Sequence, residues 1–241
     1  MATFILVHGA LHGGWCWEKV VGRLIAANHR VLAPDLPGTG ERWVPAGDVT
    51  LSMTGTFIAD LAVRQDDKAI LVGHSLGGIT ICDAAERAPE AIKGLIFVAA
   101  VLLPNGSAAA DLFQGAPLPD GLKLSADGLT LTDDPIHARH RYYSGCHEDD
   151  VEIALARLAP QPARPMSEKL SLSQDRFGSL PRAYVECLRD NALPIEMQRL
   201  QQECLPCDPV FAMDTGHSPF LQAPDLLTSH LIAAAEAFGD R

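Results

Sequence analysis

Short apolar runs alternate along the chain with longer segments whose apolar residues recur at helical spacing. The predicted strands cover 3–7, 30–34, 68–72, 91–98, 182–187 and 209–213. The predicted helices cover 15–27, 51–64, 193–202, 224–238 and a segment that begins just after Ser75. Because strands and helices alternate at short spacing, the pattern predicts an α/β fold: a mostly parallel, doubly wound sheet with helices on both faces.

The periodic pattern is lost between residues 104 and 178, where prolines interrupt short segments. A stretch of this length without core periodicity is typical of a functional insertion. We therefore predict a core built from residues 1–103 and 179–241 and a lid that consists of residues 104–178.

Two elements are predicted inside this insertion, a small hairpin at 122–131 and a helix at 149–158. Apolar side chains in and next to the insertion are expected to line a largely hydrophobic pocket above the sheet, although each could instead pack the lid onto the core. These residues are Leu103, Leu112, Phe113, Leu118, Tyr142 and Tyr143.

The segment Gly73–Gly77 has the pattern G-x-S-x-G between a predicted strand and a predicted helix. That order is the context of a nucleophile elbow, in which a tight turn strains the serine and turns its hydroxyl out of the sheet. Gly73 and Gly77 are expected because side chains at these positions would collide across the turn. Since the bare pattern also arises by chance, the interpretation of Ser75 as a nucleophile requires partners elsewhere in the chain.

The first such partner is a base, because a serine alkoxide is inaccessible near neutral pH. In elbow hydrolases the catalytic residues follow the chain order serine, acid, histidine. Of the nine histidines, His217 follows the last predicted strand on a loop at the carboxyl edge of the sheet, whereas His230 lies within the final predicted helix. His217 is therefore the candidate general base.

The second partner is a carboxylate that orients the imidazole. Asp190 follows the predicted strand at 182–187, and the other usual position, after the preceding strand at 99–103, contains no carboxylate. Asp214 lies too close to His217 along the chain to be the expected partner. Asp190 is thus predicted to hold the imidazole tautomer and to stabilise the imidazolium.

A tetrahedral oxyanion needs two preorganised donors. The backbone N–H of Leu76, next to the nucleophile, is expected to supply one, and the N–H of Ala10, in the glycine-rich loop after the first strand, the other. His8, His12 and His74 also neighbour the predicted site, where loop packing and hydrogen bonding are their expected roles.

Composition narrows the classes of partner and compartment. Thirty acidic and nineteen basic residues give the chain of 241 residues a formal charge of −11, which argues against nucleic acid or an anionic membrane surface as a partner. The chain begins directly with a predicted strand, without a targeting segment, and no apolar run is long enough to span a membrane. These features predict a cytoplasmic protein.

Six cysteines are scattered without the pattern of a disulfide scaffold. Cys204 and Cys207 form an isolated C-x-x-C for which a zinc or redox role is not favoured, since no second pair accompanies it. Cys16, Cys82 and Cys187 fall within apolar patterns and are predicted to be buried thiols.

In its candidate catalytic and oxyanion-loop residues, the chain resembles the α/β-hydrolase superfamily. More narrowly, it resembles the plant methylesterase and hydroxynitrile lyase branch with its bacterial carboxylesterase relatives. The matching segments span nearly the whole chain and are Phe4–Trp17, Leu71–Gly78, Cys187–Asp190 and Gly216–Leu221. The resemblance implies a triad of Ser75, Asp190 and His217, oxyanion donors at Ala10 and Leu76, a lid inserted after the sixth strand of the full fold, and no cofactor or metal. Members of the branch often form dimers, so a homodimer is one implied state.

The resemblance also separates two chemistries. Lyases of the branch carry a threonine at the position of Gly9 and a lysine directly after the catalytic histidine, where this chain has Ser218. The lysine charge stabilises departing cyanide, so its absence favours hydrolysis of small, largely apolar esters by a serine carboxylesterase. A hydroxynitrile lyase and a non-enzymatic small-ligand-binding protein on the same scaffold stay as alternatives.

Overall fold

The structure, a computed structural model, describes residues 1–113 and 117–239, with the backbone alone at Phe113. Six strands form one sheet: β1 (Thr3–Val7), β2 (Arg30–Leu32), β3 (Ala69–His74), β4 (Ile92–Val98), β8 (Arg182–Cys187) and β9 (Val210–Met213). The sheet is fully parallel, and its spatial order is β2-β1-β3-β4-β8-β9. All six occur where the apolar runs predict them, with ends displaced by at most a few residues.

The sheet is buried on both faces because its strands carry apolar side chains at successive positions. In β1, Ile5 and Val7 pack into the core on one face of the sheet, while Phe4 and Leu6 pack into the core on the other. All four side chains are fully buried. Continuous apolar runs of this kind are what a doubly covered parallel sheet requires.

Helices cover both faces. The α-helices are α1 (Glu18–Ala26), α2 (Leu51–Val63), α3 (Gly77–Arg87), α4 (Pro135–Tyr143), α5 (Glu148–Arg157), α6 (Arg164–Ser167), α7 (Ile195–Cys204), α8 (Pro219–Gln222) and α9 (Pro224–Ala237). Apolar residues of α2 and α3 belong to the core on the face of Ile5 and Val7, and those of α1 and α9 belong to the core on the other face. Within the described residues, none of these helices combines the length and apolar character that crossing a membrane would require. The predicted doubly wound α/β class is confirmed.

Strand order explains where a site forms. The chain passes from β1 to β2 on one side and then to β3 on the other, so the connections diverge at the carboxyl ends of β1 and β3. Ligands of open parallel sheets bind at such a switch point. The loop after β1 contains Ala10 and the turn after β3 contains Ser75, so both open onto this position.

The segment 104–178 contains more regular structure than its sequence suggests. The predicted hairpin is present as β5 (Leu122–Leu124) and β6 (Thr130–Asp133), and a third strand, β7 (Gln161–Pro162), pairs with β6. Helix α5 occurs as predicted, whereas α4 was not predicted. The signal for α4 is a side-chain cap, since the carboxylate of Asp134 accepts from Ile136 N–H at 2.9 Å, with Pro135 at the first helical position.

Candidate active site

Ser75 lies in a strained turn between β3 and α3. Its φ of +50° falls in the left-handed region that side-chain-bearing residues seldom adopt. A Cβ at Gly73 would lie 2.9 Å from the carbonyl oxygen of Gly77, which explains the first glycine of the motif. A Cβ at Gly77 would instead lie 2.7 Å from the carbonyl oxygen of Val7. The second glycine is therefore required by the close approach of β1 and not by the turn itself.

The hydroxyl of Ser75 faces a cavity of about 150 Å³. Its Oγ makes no hydrogen bond to any other residue that the structure describes. The cavity lies between the sheet edge and the segment 104–178, and most of its lining is apolar. Lining residues include Val101, Leu112, Leu122, Leu131, Met166 and Leu193, with Ala10 and Leu76 beside Ser75.

Asp190 and His217 form a buried pair. The Nδ1 atom of His217 lies 2.7 Å from Oδ2 of Asp190, and the side chains are 2% and 0% exposed. The other carboxylate oxygen, Oδ1, accepts from the backbone N–H groups of Ala192 at 2.7 Å and Leu193 at 2.8 Å. Since these amides fix the carboxylate, Asp190 holds the Nδ1 edge of the imidazole in a single orientation.

The second ring nitrogen of His217, Nε2, is open. Across the described residues it has no hydrogen-bond partner, and it is not among the polar atoms that are sealed from solvent. The ring of His217 packs 4.6 Å from that of His74, the residue before Ser75, and 5.9 Å from Tyr142 in the cavity wall. Through its packing on His74, the imidazole of His217 lies at the same end of the sheet as Ser75, and among the described residues no hydrogen bond joins Nε2 of His217 to Oγ of Ser75.

The two predicted oxyanion donors also lie at this point. Ala10 and Leu76 both border the cavity next to Ser75. Within the described chain, neither backbone N–H donates to a protein acceptor, although amides around them do. Both residues are half-buried at the cavity, and two N–H groups without a protein acceptor beside one hydroxyl form a site that can accept an anionic oxygen.

Three further histidines, His8, His12 and His74, support these loops and are buried in a neutral form. Leu36 N–H donates to His8 Nε2, which leaves the proton of His8 on Nδ1, where it donates to the carbonyl of Gly9 at 2.8 Å. His74 donates from Nε2 to the carbonyl of His217 at 2.8 Å. Desolvation lowers the pKa of each ring, that of His12 to about 3.

The buried histidines predict acid sensitivity. Folded His12 has a pKa of about 3 against an ordinary 6.5, so between these values the unfolded chain binds a proton that the folded chain does not. The free energy of unfolding therefore has its full value, as far as His12 is concerned, above pH 6.5. Below pH 6.5 it decreases by up to about 1.4 kcal/mol per pH unit because of His12 alone. Urea unfolding at about pH 7 and about pH 5.5 should show a smaller loss for His12→Gln than for wild type. His140→Gln, which replaces an exposed histidine, should match wild type; an equal loss in His12→Gln would contradict this origin.

The C-x-x-C segment, Cys204–Cys207, lies outside any cluster of metal-ligating side chains in the part of the chain that the structure describes. Over residues 1–113 and 117–239, no group of three or more His, Cys, Asp or Glu side chains is placed to hold a metal ion. Cys204 is exposed and Cys207 half-buried, both as free thiols, whereas Cys16, Cys82 and Cys187 are buried as predicted.

Sequence reasoning missed three side chains that hold the site in place. Gln198 donates to Asp190 Oδ2 at 3.4 Å, Tyr143 contacts His12, and Gln161 contacts the loop of Ala10. A lone glutamine or tyrosine carries no motif, and only the three-dimensional structure shows these contacts.

Comparison with known proteins identifies the family. The sequence profile of the Alpha/beta hydrolase family matches residues 4–229. Methylesterase 2 from Arabidopsis thaliana is 32% identical over 259 residues, which cover 98% of this chain and 96% of that protein. The crystal structure of a pyrethroid hydrolase from Sphingobium faniae JZ-2 matches with a TM-score of 0.87 at 29% identity, covering 98% of each chain. That of a methylesterase from Arabidopsis matches with a TM-score of 0.85 at 27% identity, covering 98% of this chain and 100% of the other.

Both kinds of comparison extend over nearly the whole chain, and both return carboxylic ester hydrolases on the same fold. The strained serine turn and the parallel sheet described above agree with them. This chain therefore belongs to the alpha/beta hydrolase family, in the branch of esterases that includes the plant methylesterases.

Proposed function

We propose that this protein is a serine carboxylesterase that works through an acyl-enzyme. Oγ of Ser75 attacks the ester carbonyl while Nε2 of His217 takes its proton, and the N–H groups of Ala10 and Leu76 bind the resulting oxyanion. His217 then gives the proton to the departing alcohol oxygen as the C–O bond breaks. Water, activated by the same nitrogen, attacks the acyl-enzyme, and the proton returns to Ser75 as the acid leaves. Asp190 keeps Nδ1 of His217 protonated throughout.

One observation carries this proposal. An unpaired serine hydroxyl and two unpaired amide N–H groups border the same cavity, beside a histidine that a buried carboxylate holds at 2.7 Å. Either a ligand or a substrate could pair the hydroxyl and the two N–H groups. A protein that only binds ligands has no need of a histidine held by a buried carboxylate beside them, whereas acyl transfer requires this pair as its base.

The cavity lining supports small, largely apolar esters as the substrate class. Apolar side chains of the segment 104–178 cover the cavity, and we propose that this segment acts as the lid. The cavity volume of about 150 Å³ suits a short acyl or alcohol group rather than a long chain. The names of two relatives, methylesterase and pyrethroid hydrolase, support hydrolysis as the reaction and esters as the substrate class.

Burst kinetics with a short-chain p-nitrophenyl ester test the mechanism. Purified protein should release p-nitrophenol in turnover. An organophosphonate should abolish turnover: Ser75 displaces its leaving group, and the peptide that contains Ser75 gains the mass of the phosphonyl group. A ligand-binding protein would bind small acids without turnover or labelling, and labelling at any other residue would reject Ser75 as the nucleophile.

Cyanohydrin cleavage is disfavoured because the backbone next to the nucleophile has no space for a side chain at position 9. A Cβ at Gly9 would lie 2.7 Å from Cβ of Ser75, so the threonine of the lyases does not fit this backbone. The residue after His217 is Ser218, which is fully buried and uncharged. We expect no cyanide release from mandelonitrile-type substrates.

The same contact predicts the effect of Gly9→Ala. The added methyl group would displace Ser75 or the neighbouring loop, and misplacement of reacting groups by about 1 Å costs about 10²-fold in rate. Steady-state hydrolysis of the p-nitrophenyl ester should show this fall in kcat/KM. Gly22→Ala is the matched control, because a Cβ at Gly22 in α1 meets no atom within 4 Å. Wild-type kcat/KM in Gly9→Ala would show that the loop accommodates the methyl group.

A further inference from the structure

The loop that carries the oxyanion donor Ala10 is held in an unfavourable backbone conformation. Leu11 has a φ of +65°, in the left-handed region that is sterically unfavourable for a residue with a Cβ. Such a conformation persists only where surrounding contacts impose it. The contacts that impose it here come from the segment 104–178 rather than from the sheet.

The peptide unit between Ala10 and Leu11 is held at both ends. Its N–H, that of Leu11, donates to Oε1 of Gln161 in β7 at 3.2 Å. Its carbonyl, that of Ala10, lies 2.7 Å from Nδ1 of His12. A third contact follows directly, since Ala159 N–H donates to the carbonyl of Leu11 at 3.0 Å.

His12 connects this carbonyl to α4. Because a carbonyl only accepts, Nδ1 of His12 must carry the proton, and Nε2 must then accept from the hydroxyl of Tyr143 at 2.8 Å. Tyr143 is 2% exposed and His12 is also 2% exposed, so water does not compete with this chain of hydrogen bonds.

A second hydrogen bond fixes the orientation of the Gln161 side-chain amide. Its side chain is 8% exposed, and Nε2 donates to the carbonyl of Pro162 at 3.0 Å, which determines that Oε1 faces Leu11. The peptide unit before Ala10 is held from the core side, since His8 donates to the carbonyl of Gly9 at 2.8 Å. The direction of the Ala10 N–H therefore depends on one contact from the core and on the contacts from the insertion.

We propose that Gln161 and Tyr143 are positioning residues for the oxyanion hole, so that the segment 104–178 completes the catalytic site as well as covering it. This inference rests on the proposed serine esterase function. When the segment is seated, Leu11 is held at positive φ and the N–H of Ala10 faces the cavity. When these hydrogen bonds are removed, Leu11 relaxes toward negative φ and the donor turns away from the developing oxyanion.

The test compares Gln161→Met and Tyr143→Phe with wild type. Gln161→Met keeps the length of the side chain and removes the acceptor for Leu11, and Tyr143→Phe removes one hydroxyl. Since loss of a whole oxyanion donor costs about 10²–10³-fold in kcat, its displacement should lower kcat by about 10- to 100-fold, with KM changed by less than about threefold. Gln174→Met, at an exposed glutamine of the same segment, is the matched control and should equal wild type.

A second readout separates positioning from a loss of cavity shape. An aryl trifluoromethyl ketone adds to Ser75 and places an oxyanion in the hole, whereas the product acid analogue benzoate forms no tetrahedral adduct. Gln161→Met and Tyr143→Phe should each weaken inhibition by the ketone by the factor that they remove from kcat, and leave the affinity for benzoate within about twofold.

Three results would overturn the inference. Wild-type kcat in both variants would show that the oxyanion loop does not need the contacts. A rise in KM with unchanged inhibition by the ketone would assign Gln161 to the cavity wall alone. Absence of ester turnover and of ketone inhibition in wild type would reject the serine esterase function, and the inference with it. If Gln161→Met fails to fold, Tyr143→Phe decides alone.

Discussion

Ser75→Ala is expected to lower kcat/KM for a short-chain p-nitrophenyl ester by about 10⁴- to 10⁶-fold. The acyl-enzyme cannot form without Oγ, and any remaining rate would come from binding and from the oxyanion donors at Ala10 and Leu76. Steady-state assays with active-site-titrated wild type as reference measure the loss. A decrease of less than tenfold would assign the nucleophile to another residue.

Stability measurements separate this loss from misfolding. Because the hydroxyl of Ser75 makes no hydrogen bond within the described residues, Ser75→Ala should change the free energy of unfolding by less than about 0.5 kcal/mol. Ser75→Gly should be equally inactive yet about 0.5–1 kcal/mol more stable than Ser75→Ala, since glycine adopts φ of +50° without steric cost. Equal stability of the two variants would show that the turn is not strained.

The sheet is predictable from the sequence because each strand is apolar on both faces and each βα turn is short. Chain order adds information, since an elbow serine, a carboxylate after β8 and a histidine after β9 lie at one edge of a parallel sheet whatever the loops do. Asp190 and His217 are found within hydrogen-bond distance for this reason. Their catalytic roles stay predictions until the variants are measured.

The insertion is less predictable, for physical reasons. Helix α4 has little apolar periodicity, since Ile136 is 78% exposed and the buried residues are Ala138 and two tyrosines. Strand β7 consists of Gln161 and Pro162, too short for any period to appear. The hydrogen bond between Gln161 and Leu11 joins positions 150 residues apart and involves a backbone amide. No pattern of side chains in the sequence could therefore predict it.

Two residues at the site, Ser75 and Leu11, have a strained backbone with positive φ, and only the first can be predicted from the sequence. At Ser75, the flanking glycines of the elbow announce a turn with unusual φ. At Leu11, the left-handed conformation falls on a leucine, which sequence reasoning assigns to ordinary backbone. Only the partners that hold Leu11 make its conformation intelligible, and these partners belong to the part of the chain whose structure the sequence predicts least.

Asp190→Asn is expected to lower kcat/KM by about 10⁴-fold with little change in structure. The reason lies in the two amides of Ala192 and Leu193, which both donate to Oδ1. In the variant, the oxygen of the asparagine must stay at this position, because its NH₂ group would face two donors. The NH₂ group is then directed at Nδ1 of His217, which has to accept, so the proton moves to Nε2.

A histidine protonated at Nε2 cannot take the proton of Ser75, so the loss should appear in kcat, while KM changes little. Asp214→Asn is the matched control: it makes the same substitution three residues from His217, at an exposed carboxylate paired with Arg189 at 2.8 Å. Its kcat/KM should stay within about twofold of wild type, as expected of an exposed ion pair. If Asp214→Asn lost activity and Asp190→Asn kept it, the acid of the site would be Asp214, and the buried pair at 2.7 Å would serve only the fold.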